Sequence, residues 1–150
     1  MKKTISLIAA LLMIIPLFAQ SNLNKRQQLL SDNIYNYLKQ EGYSPEKNSK
    51  GLSFKKEGLA YLVIIDSESI DPMFIKVQRR IKMGESGNLT KKNASEKLND
   101  YNNTYITKVL IDGNNLLLSA EMFLENSDQF KTAFGTLMNY IEDTYKEIIK

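Results

Sequence analysis

The sequence of 150 residues contains neither histidine nor cysteine. Their absence excludes Ser-His-Asp and Cys-His nucleophile systems, and it excludes disulfides and thiol chemistry. Ordinary zinc, haem and iron–sulfur centres are excluded as well, because they depend on histidine or thiolate ligands. We therefore expect a protein that is not an enzyme and that holds neither a metal nor a cofactor.

Sequence motifs for nucleotide binding or serine activation are also missing, including G-x-G-x-x-G, G-x-x-x-x-G-K-[ST] and G-x-S-x-G. Carboxylate, lysine and tyrosine chemistry stays open. The alternative is thus a periplasmic hydrolase or lyase that uses carboxylates and lysine. Such an enzyme needs a concave pocket with paired acids whose pKa values are driven apart.

The N-terminal segment MKKTISLIAALLMIIPLFAQ combines two lysines, a short apolar run and a small residue near its end. This pattern is typical of a bacterial secretory signal, and the run is shorter than the roughly 20 residues of a membrane-spanning helix. No cysteine follows that could carry a lipid anchor. We predict a signal peptide over residues 1–20, cut after Ala19 or Gln20, and a periplasmic or secreted protein. An uncleaved N-terminal anchor is the alternative.

Removal of the signal changes the charge of the chain. The formal net charge of +3 includes Lys2 and Lys3, so the mature chain over residues 21–150 has a net charge of about +1. Such a chain lacks the basic excess of nucleic-acid-binding proteins. Its length of about 130 residues suits a single domain whose stability comes from packing alone.

Three segments place apolar residues at helical spacing and predict helices over residues 24–41, 94–105 and 127–150. Gly42 suits a left-handed stop after the first helix. Ser127 is a favourable N-cap for the last helix. The second helix has a narrow apolar stripe, so we expect it to be short and mostly solvated.

Between the first two helices the apolar period changes to two, which indicates strands. In GLSFKKEGLAYLVIID, the alternation on either side of KKEG predicts a hairpin with a charged tip rather than a site. The run LAYLVII is apolar at both parities, which predicts a central strand buried on both faces. Further strands are expected over residues 73–83, 107–112 and 116–123, and residues 43–51 are expected to form a loop.

The predicted order is α-β-β-β-α-β-β-α, an α+β fold with a mostly antiparallel five-stranded sheet. The N- and C-terminal helices are expected to pack on this sheet.

Four segments carry a resemblance to a known family: NYLKQEGY, GLSFKKEGLAYLVIID, KLNDYNNTYITKVLIDGNNLLLSAEMFLE and SDQFKTAFGTLMNYIEDTY. The chain resembles the YbjN-like domain family, described as regulators of sensory transduction, from about Leu29 to about Lys146. The family's spaced asparagines and one strand signature correspond to Asn99, Asn102, Ser119, Glu121 and Phe123. The resemblance implies a fold like that of type III secretion chaperones, pairing into dimers, and work through protein contacts.

The strand over residues 73–83 carries a cationic row, Lys76, Arg80 and Lys82, on one parity, with Arg79 on the other. This row is our candidate face for an anionic partner, such as a polysaccharide, a lipid headgroup or an acidic protein segment, as in an envelope sensor. The alternative is that these charges keep an exposed sheet soluble and block edge pairing.

Two polar clusters have simpler interpretations. The carboxylates of DSESIDP, residues 66–72, lack the spacing of a calcium loop and predict a polar connection closed by Pro72. Asn99, Asn102 and Asn103 lie where the second helix should stop, so capping is favoured over a partner surface.

Tyr35, Tyr105 and Tyr140 fall off the main apolar stripes. Tyrosine offers contact area with a polar tip, so these residues are candidates for a dimer interface; ordinary partial burial is the alternative. Taken together, the sequence predicts an exported, non-catalytic binding or assembly module of the chaperone or regulator kind. Its expected partners are a second copy of itself and an envelope protein, and not nucleic acid.

Overall fold

A computed structural model describes residues 23–84, 90–104 and 107–149. Its elements are, in chain order, α1 (Lys25–Gln40), β1 (Glu46–Asn48), β2 (Gly51–Lys56), β3 (Leu59–Ile65), β4 (Met73–Lys82), α2 (Lys91–Thr104), β5 (Thr107–Asp112), β6 (Asn115–Leu124) and α3 (Ser127–Ile149). The α+β class and the antiparallel sheet with helices packed on it are confirmed.

The sheet has six strands in the order β1-β2-β3-β4-β6-β5, so the prediction of five strands was wrong. The predicted element order was wrong as well, since the chain runs α-β-β-β-β-α-β-β-α. The additional strand, β1, lies in the segment that was predicted as a loop and has only three residues, EKN. Polar residues over so short a stretch show no apolar alternation, and β1 exists because its backbone pairs with β2. The two ten-residue strands β4 and β6 are neighbours, fourth and fifth in the sheet order.

Side chains of one parity form the core beneath the helices. Leu52, Val63, Val77 and Ala120 lie in one row across four strands, and all four are buried. The covering helices supply the opposite layer through α1 and α3, including Phe130, which is fully buried and contributes about 1.5–3 kcal/mol by leaving water. The core therefore sits between one sheet face and the helices.

The other parity of the sheet is not packed in this way. In β3, Tyr61, Val63 and Ile65 are buried, whereas Leu62 and Ile64 are only half-buried and lie outside the core cluster. The interior position of β3 in the sheet is confirmed, but its predicted burial on both faces was wrong. Apolar residues at both parities correctly predicted that the strand lies inside a sheet. No helix in the described part of the chain covers its second face.

The helix ends follow from local hydrogen bonding. Asn24 caps α1 in a reciprocal capping box with Gln27, and Gln27 also donates to the backbone of Asp66 and Ser69. For α3 the predicted N-cap was Ser127, but the N-cap lies one residue earlier, at Asn126. The side chain of Asn126, rather than Ser127, accepts the backbone N–H groups of residues 128 and 129.

The charged tip KKEG is a hairpin turn, as predicted. Glu57 and Gly58 both have positive φ, 52° and 79°, which suits the tight turn between β2 and β3. Lys56 points to the helix side and pairs with Glu142 of α3 at 2.6 Å. This contact fastens the hairpin to the C-terminal helix.

Candidate functional site

We use the name open face for the sheet face that none of the described helices covers. Strand pairing assigns its members by register. On the four strands β3, β4, β6 and β5 they are Ala60, Leu62, Ile64, Phe74, Lys76, Gln78, Arg80, Lys82, Asn115, Leu117, Ser119, Glu121, Phe123, Lys108, Leu110 and Asp112.

Large apolar side chains stand in solvent on the open face. Phe123 is 62% exposed and Leu110 is 58% exposed. The Phe123 ring lies 5.1 Å from that of Phe74, centroid to centroid. Leu117 is half-buried beside Leu110, toward the other end of the face. The Lys76–Glu121 and Gln78–Ser119 rows separate this aromatic pair from Leu110 and Leu117. Large exposed apolar side chains on one sheet face make that face a candidate interaction surface.

The predicted cationic row lies on the open face, but carboxylates of neighbouring strands accompany two of its members. Lys76 Nζ is 3.2 Å from Glu121 of β6, and Arg80 pairs with Asp112 of β5. Lys82 shares the face at its far end. Partly exposed pairs of this type contribute about 0–1 kcal/mol each, so their main effect is to balance charge locally.

The cationic row was predicted from the sequence of β4 alone, and its acidic neighbours on β6 and β5 were not predicted. Glu121 and Asp112 lie 45 and 32 positions from their partners, and only the sheet register brings them together. The alternation in β6 of Ser119, Glu121 and Phe123 at one parity was the available signal. An anion-binding role for the row stays a prediction.

A shallow depression of about 450 Å³ adjoins the open face beside the β1–β2 turn. Its lining combines the apolar side chains of Ala60 and Leu62 with the polar side chains of Ser53, Gln78 and Arg80. The depression has the character of an open groove with mixed polarity. It extends the open face toward the β1 edge.

The tyrosines predicted for an interface lie elsewhere. Tyr35 is half-buried on α1, with Lys47 Nζ 5.5 Å above its ring, and Tyr140 is 39% exposed on α3. Tyr105 lies outside the described residues. Neither Tyr35 nor Tyr140 belongs to the open face, and their role in an interface stays a prediction.

Arg79, the exception in the apolar parity of β4, lies on the helix side of the sheet. It is only 6% exposed, and its guanidinium carbon is 4.1 Å from the centre of the Tyr145 ring on α3. This geometry is a cation–π contact in a desolvated setting. Nearby, burial raises the pKa of Tyr61, and the charge of Arg79 partly offsets that effect.

Asn102 acts neither as a helix cap nor as a free surface group. Its side chain donates to the carbonyl of Val109 at 3.0 Å and accepts the Val109 N–H at 2.7 Å. Because β5 is the last strand of the sheet, this amide satisfies the outer edge of β5 as a neighbouring strand would. The prediction that Asn102 caps the helix was wrong; the side chains of Asn99 and Asn103 lie outside the described residues.

The connection DSESIDP is organised by its own hydrogen bonds. Asp66 accepts the Ser69 hydroxyl and the Glu68 N–H, which together hold the pKa of Asp66 below its usual value. Asp71 pairs with Arg26 of α1 at 3.2 Å. Among residues 23–84, 90–104 and 107–149, no group of three acidic residues is arranged to hold a metal ion.

These observations define an α+β layer with helices on one side of an antiparallel sheet and an open face on the other. The fold is YbjN-like: the solved structure of YbjN from E. coli, described as a candidate transcription regulator, superimposes with a TM-score of 0.50. The match covers 79% of this chain and 87% of that chain at 17% identity. At this identity the likeness shows the fold alone.

Comparisons with protein families and with curated proteins give no match to this sequence. None of the helices in the described part of the chain is both long and apolar enough to cross a membrane.

Proposed function

We propose that the mature chain is an exported, non-catalytic binding module that acts through protein contacts and pairs with itself. The observation that carries the proposal is the open face, where Phe123 and Leu110 stand in solvent beside locally balanced charges. Exposed apolar side chains have a free-energy cost in water that a protein partner removes.

The signal-like N-terminal segment supports the exported part of the proposal. Protein contacts are favoured over anion sensing because Glu121 and Asp112 already offset the charges of Lys76 and Arg80. An anionic polymer would have to displace these carboxylates, which reduces the net attraction. The YbjN-like fold agrees with a regulator-like module, since the similar structure is described as a candidate regulator.

Crosslinking in the native host tests the proposal. The chain is produced with its N-terminal segment and a C-terminal tag, the periplasm is isolated, and formaldehyde-crosslinked species are captured through the tag. We expect a periplasmic protein that begins at residue 20 or 21, with crosslinked species that include a self-pair and an envelope protein. Leu110→Ser should deplete the self-pair.

Leu29→Ser is the matched control, because Leu29 is 60% exposed on α1, away from the open face. This variant should crosslink as the wild type does. A protein retained in the cytoplasm would contradict export. A periplasmic protein without any crosslinked species would contradict the binding role.

A further inference from the structure

β4 and β6, the two central strands of the open face, carry side chains of compatible chemistry in three of their five rows; the other two rows pair Arg80 with Leu117 and Lys82 with Asn115. Strand register places Phe74 beside Phe123, Lys76 beside Glu121, and Gln78 beside Ser119. Aromatic therefore stands beside aromatic, cation beside carboxylate, and amide beside hydroxyl. A face with this pattern is complementary to a second copy of itself when the second copy is turned over and stacked on it.

A twofold axis that runs parallel to the strands between β4 and β6 exchanges these two strands and keeps each row at its height. Under this operation Phe74 of one copy faces Phe123 of the other, and Lys76 faces Glu121 of the other. An isologous interface requires such self-complementarity, because each contact occurs twice. We propose that a second copy of this chain occupies the open face, stacked face to face about this axis.

The outer strands also fit this arrangement. The axis lays β3 over β5 of the second copy, so Ala60 faces Leu110, and Leu62 faces the aliphatic stem of Lys108. An axis perpendicular to the strands would instead set Phe74 against Lys82. The parallel axis is therefore favoured by both the apolar and the charged pairs.

The charges on the stacked faces are complementary in both directions. Lys76 and Glu121 form a pair within one copy at 3.2 Å, and their counterparts in the second copy complete a cluster of alternating sign. Such a cluster attracts across the interface and leaves little net charge to be buried. The same residues thus balance charge in the free chain and fix the register of the pair.

The overlapping area is sufficient for a stable pair. Four strands about 4.8 Å apart, with about 3.3 Å per residue, cover on the order of 500 Å² in projection. Side chains roughen this surface, so the accessible area approaches the about 600–1,000 Å² that each partner buries in a standard interface. Stacked sheets lie about 10 Å apart with strands aligned within about 30°, which the axis satisfies.

Charge substitution at the central row tests the arrangement. In Glu121→Lys, the two copies bring four cations together, and we expect the mature protein to be monomeric by light scattering at tens of micromolar. The double variant Lys76→Glu/Glu121→Lys restores opposite charges within and between copies, so it should be dimeric. Unchanged circular dichroism verifies the fold of each variant. A dimeric Glu121→Lys, or a folded but monomeric double variant, would overturn the proposal.

Crosslinking gives a second, independent test. The chain has no cysteine of its own, so a single introduced cysteine is the only thiol that can react. The axis places residue 78 of the two copies on the order of 10 Å apart, within reach of a short bis-maleimide. Gln78→Cys should therefore form a crosslinked dimer. Thr136→Cys, at an exposed position of α3, is the control and should not.

This inference rests on the proposed self-pairing, and the two can fail separately. A monomeric wild type would contradict both. A dimeric wild type that crosslinks through Thr136→Cys but not through Gln78→Cys would contradict only the use of the open face.

Discussion

At the scale of single residues, Gly51 holds β2 against β3. Its φ is +143°, and a Cβ at this position would lie 2.1 Å from the carbonyl oxygen of Val63. Any side chain must therefore move the backbone of a central strand. We expect Gly51→Ala to lower the free energy of unfolding by about 3 kcal/mol, measured by urea titration.

Gly58 is the matched control for this prediction. Its φ is also positive, +79°, but a Cβ there would meet nothing within 4 Å. Gly58→Ala should cost only the left-handed penalty of about 1 kcal/mol. Equal losses for the two variants would show that the close approach at Val63 does not limit the sheet.

Tyr61 links burial to pH dependence. Its hydroxyl is buried near Arg79 but makes no hydrogen bond of ordinary geometry with the described residues. Burial raises its pKa above the ordinary value of 10.0, and Arg79 offsets part of this rise. The unfolded chain therefore releases this proton at lower pH than the folded chain does. The stabilising contribution is complete below about pH 10 and is lost as the pH rises beyond that value.

We expect Tyr61→Phe to be as stable as the wild type at pH 7, or more stable by up to about 1 kcal/mol, because it removes an unpaired buried hydroxyl. Above pH 10 the variant should lose less stability than the wild type. Urea titrations from pH 7 to pH 11 measure both effects. A steeper alkaline loss in the variant would be inconsistent with a raised pKa for Tyr61.

At the scale of elements, α2 closes the β5 edge through Asn102. Asn102→Ala removes both hydrogen bonds to Val109, and we expect a loss of about 1–3 kcal/mol in the free energy of unfolding. Hydrogen exchange at the Val109 amide should also become faster. Asn36→Ala, at an exposed position of α1, should leave this amide unchanged. Unaltered exchange in Asn102→Ala would mean that another group protects the edge.

The helices and strands also show how much of the fold the sequence pattern predicts. Helical stripes and the two-residue period placed all three helices and five of the six strands, because these patterns record which face of each element is buried. The strand β1 has no apolar residue and forms only through pairing with β2, so its sequence carries no such signal. The run LAYLVII predicted burial on both faces, since apolarity alone does not distinguish a covered face from an open one.

The candidate site was less predictable than the fold. Lys76 and Arg80 could be assigned to one face from β4 alone. Their pairing with Glu121 and Asp112 depends on β6 lying next to β4, with β5 outside it, and on the register of these strands. Long-range pairing of this kind is set by the whole sheet rather than by local pattern.

At the scale of the whole molecule, the helices cover one sheet face, and we propose that a second copy covers the opposite face. Phe123 and Leu29 are a matched pair for testing this division, since they are 62% and 60% exposed but lie on opposite sides of the fold. Loss of one large apolar contact per copy removes hydrophobic stabilisation only where the side chain is buried in the pair.

The most direct measurement is the light-scattering mass of the chain over residues 21–150 at tens of micromolar for the wild type, Phe123→Ser and Leu29→Ser. We expect twice the monomer mass for the wild type and for Leu29→Ser, and the monomer mass for Phe123→Ser. A monomeric wild type, or a Phe123→Ser variant that remains dimeric, would contradict pairing through the open face.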